Sequence, residues 1–196
     1  MCQLLESIYL NNGVFRNLDY HQERMNKSSQ TLFGTNSPEL VVSLANKIIP
    51  SSGLFKVRIC YDTIIRSIEF VEYQIKPITS LKLVYDNQIS YDHKFSDRVR
   101  FEKLLEQRKD ADEILIVKNG LITDASYANI IFKKGNRWFT PNTYLLNGVM
   151  RQTLLNSKSI EVADISEINF REYESCKLIN AMLGINASEI PIEAIS

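Results

Sequence analysis

Mostly apolar runs over Leu4–Leu10 and Val14–Arg16 flank the polar turn Asn11-Asn12-Gly13, which predicts strand, turn, strand. Asp19 is placed to cap a helix running to about Phe33, where Gly34 stops it. Ser37, Glu39 and Leu40 around Pro38 start a second helix that ends before Pro50. Leu54–Tyr61 and Ser67–Lys76 are rich in β-branched and aromatic residues and read as paired strands. Pro77-Ile78-Thr79-Ser80 is the best linker in the chain, and Leu81–Tyr85 behind it is a strand. Phe95 to about Lys109 spaces Val99, Phe101, Leu104 and Leu105 among charges, as a helix does. Ile114–Val117 and Leu121–Thr123 flank Asn119-Gly120, a pair suited to a type I′ turn, and Asn129–Lys133 with Arg137–Thr140 closes a second hairpin over Gly135-Asn136. A helix over Gly148–Ser157, a strand over Ile160–Ile165, a short helix over Ser166–Arg171 and a buried strand over Cys176–Ala181 complete the pattern. Clustered strands separated by helices predict an α+β chain in two lobes, a smaller one over residues 1–79 and a larger one over 80–196.

One tract breaks the simple pattern. Asp124, Ser126, Tyr127 and Asn129 crowd into six residues immediately before the apolar run Ile130–Phe132. Polar groups set between buried strands need hydrogen-bonding partners, and a bound cofactor is one source of them. Further on, Gly148-Val149-Met150-Arg151 opens a helix after a turn, and helix-opening N–H groups suit an anion.

Composition narrows the class without choosing a function. The 196 residues are 44% apolar and 23% charged, and 23 basic residues balance 23 acidic ones. That balance gives no support to a large basic surface for nucleic acid or anionic membrane. No apolar run approaches the ~18 residues of a membrane span, and MCQLLESIYL lacks the features of a signal peptide. Cys2, Cys60 and Cys176 are odd in number and widely spaced, so reduced thiols in a cytoplasmic protein are expected and a metal site is not.

Four ordered tracts resemble the fold-type IV enzymes that use pyridoxal 5′-phosphate (PLP), the class-IV aminotransferases and aminodeoxychorismate lyases. LESIYLNNGVFRNLDYHQERM (Leu5–Met25) is similar to the family's F-E-T…G…H-x-x-R-(L/M) segment. YDHK, ending at Lys94, and then ITDASYANIIF (Ile122–Phe132) match its lysine and its (V/I)-T-E-x-x-x-x-N-(I/L)-F stretch. Lys133–Leu155 resembles its later hairpin and phosphate-binding turn. The resemblance implies a D-amino-acid-aminotransferase-like two-lobed fold, with a first lobe shortened at the N-terminus.

The resemblance also implies roles. Lys94 forms the Schiff base with PLP and then serves as base at the carbon beside the substrate nitrogen. Lys118 is its rival, but beside the Asn-Gly turn it is expected to face solvent. Asp124 stands where the family has Glu, pairing with the pyridine nitrogen so that the ring can act as an electron sink. Arg24 clamps the phosphate, with Gly148, Val149 and Met150 on its other side. His21 orients its helix, and His93 has no assigned role. GVMR, Asn180 within LINAML, the K-x-x-x-R of Lys94–Arg98, and Ser7 as a hydroxyl near the cofactor all resemble the lyases. The other branch, amino-acid aminotransferases of branched-chain or D-amino-acid type, commonly has Gly-Ile-Thr at the phosphate turn. A small-molecule amine substrate and a homodimer with its PLP sites near the subunit interface are therefore expected.

Overall fold

A computed structural model describes residues 3–196. The chain divides into two compact units: the residues up to Ile75 together with His93–Asp97, and Lys76–Asp92 together with Arg98–Ser196. The segment carrying Lys94 thus belongs to the first unit, although by chain order it follows the predicted linker.

In the first unit, β1 (Leu4–Asn11), β2 (Val14–Phe15), β3 (Leu54–Tyr61) and β4 (Ile65–Glu72) form one antiparallel sheet in the order β2-β1-β3-β4. Two helices, α1 (Leu18–Phe33) and α2 (Leu40–Ala45), join the strands. Burial alternates along β1, and its inward row Leu4, Ile8 and Leu10 meets Val57, Ile59 and Tyr61 of β3 together with Met25 of α1 and Leu40 of α2. Each such side chain contributes about 1.5–3 kcal/mol by leaving water. Asn17, not Asp19, precedes α1. It takes a left-handed conformation (φ 56°) and makes no side-chain cap, while Asp19 lies in the first turn, where a carboxylate favours the helix dipole. Gly34 ends α1 in the left-handed region, as expected. The second helix stops at Ala45, well before Pro50, and β4 covers Ile65–Glu72 rather than Ser67–Lys76, its pairing with β3 shifting register at Cys60/Tyr61.

The second unit holds two sheets. In the smaller, β5 (Leu81–Tyr85) runs parallel to β6 (Glu113–Lys118), which pairs with β7 (Leu121–Ala125) across the predicted Asn119-Gly120 turn, both residues having positive φ. The larger has the order β10-β9-β8-β11-β12, built from β8 (Asn129–Lys134), β9 (Arg137–Pro141), β10 (Glu161–Ala163), β11 (Ser175–Ile179) and β12 (Ile190–Pro191). Leu115, Val117, Ile122, Ile130, Phe132, Phe170, Cys176 and Ile190 share its main core. The helices are α3 (Val99–Leu105) and α4 (Val149–Asn156). The segment Ser166–Arg171 yields only a 3₁₀ turn, Phe170–Glu172.

Helix α3 does not begin at Phe95. Residues 94–96 are instead held along β1: Leu5 N–H donates to Lys94 O at 2.8 Å, Ser96 N–H donates to Gln3 O at 2.9 Å, and Phe95 packs in the first core. Cys60 and Cys176 are free thiols, and burial pushes Cys176 up to about 12. Cys2 lies outside the described residues. Among those described, no helix is long and apolar enough to cross a membrane, and no group of three or more His, Cys, Asp or Glu side chains could hold a metal ion.

Candidate active site

The first unit fixes a lysine and a buried ionic cluster. Besides its two backbone anchors, the Lys94 segment is tied to α1 through His93, whose Nδ1 lies 3.0 Å from Ser28 Oγ. His93 therefore gains a positional role that its sequence context did not suggest. Glu6 occupies the inward row of β1 and is fully buried. Its carboxylate accepts from Arg24 Nε at 2.9 Å and Nη2 at 2.5 Å, and from His21 Nδ1 at 2.6 Å. Burial alone would raise the Glu6 carboxyl, but Arg24 and His21 beside it bring it down to about 2. A carboxylate can only accept, so His21 Nδ1 is the donor. Burial lowers the His21 pKa, which favours the neutral ring, and leaves Nε2 buried without a partner. The predicted phosphate clamp Arg24 is thus held in place through Glu6. Ser7 lies on the opposite face of β1 from Glu6, across from Arg58.

The second unit gathers the remaining predicted residues. Asp124 lies one residue before the end of β7 and is buried. Its Oδ1 accepts from Asn129 Nδ2 at 2.8 Å, and its Oδ2 accepts from the N–H groups of Leu145 and Leu146 at 2.9 and 3.0 Å. Ser126 donates to Glu113 at 2.9 Å, and its carbonyl accepts from Arg98 at 2.5 Å. The polar tract is therefore satisfied largely from within the protein, where the sequence left room for a cofactor to do so. Three of the roughly four acceptor sites of the Asp124 carboxylate are filled, which leaves one on Oδ1. Burial pushes Asp124 up to about 6 despite these donors and the nearby Arg151 charge. The carboxylate is short of a close cation.

Asn129 also donates to Leu146 O at 2.8 Å, and it packs so tightly on Gly148 that any Cβ there would overlap its Oδ1. Glycine is required at the start of α4 for this approach, not for its dihedral angles. Arg151, almost wholly buried, pins the turn before α4 through Thr140 Oγ1 (3.2 Å), Asn147 Oδ1 (3.1 Å) and Pro141 O (3.1 Å). Val149 and Met150 open α4, so their N–H groups have no acceptor within the helix. Asn180 closes a turn by accepting from Met182 and Leu183 N–H, both at 2.8 Å, and donates to Tyr127 O at 3.4 Å. The rival Lys118 does not face solvent freely, because its Nζ donates to Ile89 O at 2.6 Å.

Sequence reasoning quoted Glu6, Asn129 and Arg151 without giving them roles. A signal was available for Glu6, a charge within the mostly apolar run Leu4–Leu10, and for Asn129, a polar residue at the head of the apolar run Ile130–Phe132.

Residues 3–190 match the model of the amino-transferase class IV family. The chain belongs to that family. It is 35% identical over 188 residues to an uncharacterized protein of Haemophilus influenzae, covering 94% of this chain and all of that one. The crystal structure of a proposed 4-amino-4-deoxychorismate lyase from Haemophilus somnus 129PT is 34% identical and superposes with a TM-score of 0.87 over 94% of this chain and 98% of that one. A hypothetical aminotransferase of Mycobacterium tuberculosis in its PLP-bound form shares the fold, with a TM-score of 0.77 at 12% identity over 100% of this chain and 81% of that one. This class IV protein is a fold-type IV, PLP-dependent enzyme. Its residues fit the cofactor. The carboxylate that lacks a cation suits a protonated ring nitrogen, and the helix-opening N–H groups suit a phosphate.

Proposed function

We propose that this class IV enzyme is a 4-amino-4-deoxychorismate lyase, which converts its substrate to 4-aminobenzoate and pyruvate in the cytoplasm on the way to folate. The observation that carries the reading is the 34% likeness, over nearly the full length of both chains, to a structure proposed to have that activity. The Gly148-Val149-Met150-Arg151 turn supports it, since it departs from the Gly-Ile-Thr pattern of aminotransferases, and so does Asn180, whose LINAML stretch resembles the lyases rather than the Gly-Thr or Ser-Thr pair of aminotransferases.

In this reading Arg24 and the N–H groups of Val149 and Met150 hold the cofactor phosphate, and Asp124 holds the ring nitrogen. PLP, when bound, supplies an aldehyde for the substrate amine and a ring that takes up electrons. With PLP bound, Lys94 would be the residue that holds its aldehyde, and the Lys94 amine would serve as the base that takes the proton from the carbon bearing the substrate amine. The ether bond to the enolpyruvyl group then breaks, and the six-membered ring becomes aromatic. Ser7 or Lys94 delivers a proton to the departing enolpyruvyl carbon, giving pyruvate. Aromatisation drives the step, so a short Asp in place of Glu is tolerable.

We propose further that the enzyme works as a homodimer. The sheet order leaves β4 as an unpaired edge carrying exposed Val71, which a second copy could cover.

The test incubates the purified protein and PLP with 4-amino-4-deoxychorismate, and separately with amino acid and 2-oxoglutarate. Equal amounts of 4-aminobenzoate and pyruvate from the first mixture are expected. Glutamate from the second mixture, with no 4-aminobenzoate from the first, would replace the lyase reading by an aminotransferase.

A further inference from the structure

The two faces of the first unit's sheet differ in kind. One is the apolar core. On the other, the strand register sets Ser7 opposite Arg58 and Tyr9 opposite Lys56. Arg16 joins them: its N–H donates to Tyr9 O at 3.1 Å, and its guanidinium carbon lies 4.3 Å from the centre of the Tyr9 ring. Lys56 Nζ lies 5.4 Å from the Tyr73 ring. Three cations therefore surround one serine and one tyrosine.

These charges are not neutralised by the protein. Among the described residues, none of Arg16, Lys56 and Arg58 takes part in an ion pair. Glu69, which the register sets opposite Arg58, is the one acid at an outward position of β1, β3 or β4, and it makes no ion pair with Arg58. Lys56 and Arg58 are two residues apart on β3, so their side chains leave the same face about 7 Å apart. Burial and the neighbouring Arg58 charge lower the Lys56 pKa. In a chain of zero net charge, such a cluster favours an anion with two separated negative groups. The backbone of the proposed catalytic lysine runs beside the same strand, where Lys94 O accepts from the N–H of Leu5, the outward residue next to Ser7 on β1.

We infer that this face binds the carboxylates of a small dicarboxylic substrate, with Arg58 and Lys56 as the recognising cations, Arg16 as a third and Tyr9 as a flat surface for its ring. The inference deepens the proposed function and rests on it for the placement of substrate beside Lys94. It makes Arg58 and Lys56 specificity residues, separate from the groups proposed to hold PLP.

The probe is chorismate, which has two carboxylates and a hydroxyl in place of the reacting amine. Its binding to the PLP-loaded enzyme is measured by calorimetry, in parallel with 4-aminobenzoate, which has one carboxylate. Arg58→Gln and Lys56→Gln should each weaken chorismate binding by about tenfold or more, as loss of a charged hydrogen bond does, while PLP absorbance and melting temperature stay the same. The effect on 4-aminobenzoate should be smaller in at least one variant. Chorismate affinity unchanged in both variants, or no chorismate binding to the parent enzyme, would overturn the inference. Lyase turnover with unchanged affinities would overturn it alone. Arg58-dependent chorismate binding without lyase turnover would overturn only the lyase reading.

Discussion

Replacing Gly148 by alanine isolates a contact that shapes the turn before α4 in the second unit. At φ −65° and ψ 146° the backbone suits alanine, so no dihedral strain enters. The new methyl would run into Asn129 Oδ1 and stand 3.3 Å from its Cγ. Asn129 cannot yield without giving up its 2.8 Å bonds to Asp124 and to Leu146 O. The first, to a charged acceptor, contributes about 1.5–3 kcal/mol and the second about 0.5–1.5, so G148A should cost roughly 2–4.5 kcal/mol. Urea unfolding of the PLP-free protein measures this as a lower midpoint at constant slope. The decisive assay is the double-mutant cycle with Asn129→Ala. With the asparagine side chain gone the methyl has room, and G148A should then cost only the cap difference, about 1 kcal/mol or less. Equal costs of G148A in both backgrounds would refute the reasoning, because they would mean that Asn129 does not fill the space above Gly148.

Glu6→Gln should destabilise by about 3–5 kcal/mol, since it leaves the Arg24 guanidinium buried without its charge partner. The Glu6 carboxyl is held at about 2 against an ordinary 4.5, so its contribution is complete above pH 4.5 and is lost as pH falls toward 2. An acid unfolding profile identical in the variant would contradict this. Asp124 behaves in the opposite sense. Burial raises it to about 6, so the PLP-free fold holds a proton that the unfolded chain has released, and stability should fall by up to about 3 kcal/mol as pH rises from about 4 to 6. Asp124→Asn should flatten that slope in denaturant titrations across the window, and an undiminished slope would assign it to another group. Light scattering at micromolar concentration should give twice the chain mass, whereas a single-chain mass with PLP bound and activity intact would defeat the homodimer.

Much of the fold was legible because the hairpins announce themselves. Asn119-Gly120 and Gly135 supply the positive φ angles their turns need, and the buried run of β6 reads directly. What was not legible depended on partners distant in sequence. Phe95–Asp97 has helical spacing, yet β1 and the first core capture it, so α3 begins only at Val99. Asp19 is a good cap by residue type, but Asn17 turns the chain first. Strand β12 is two residues long and ends in proline, too short for any periodicity. For the proposed site residues, the sequence did not show what holds them. Arg24 gave no hint of Glu6, eighteen positions away, and Gly148, assigned to the phosphate turn, gave none of Asn129, which only the folded chain places over it.

The account turns on Lys94, held by backbone bonds beside β1, being the residue that carries the cofactor. Borohydride reduction of the PLP-loaded enzyme, followed by peptide mapping, tests this directly. A phosphopyridoxyl group on the peptide containing Lys94, absent from Lys94→Ala, is the predicted result. The group on Lys118, or on no lysine at all, would contradict it.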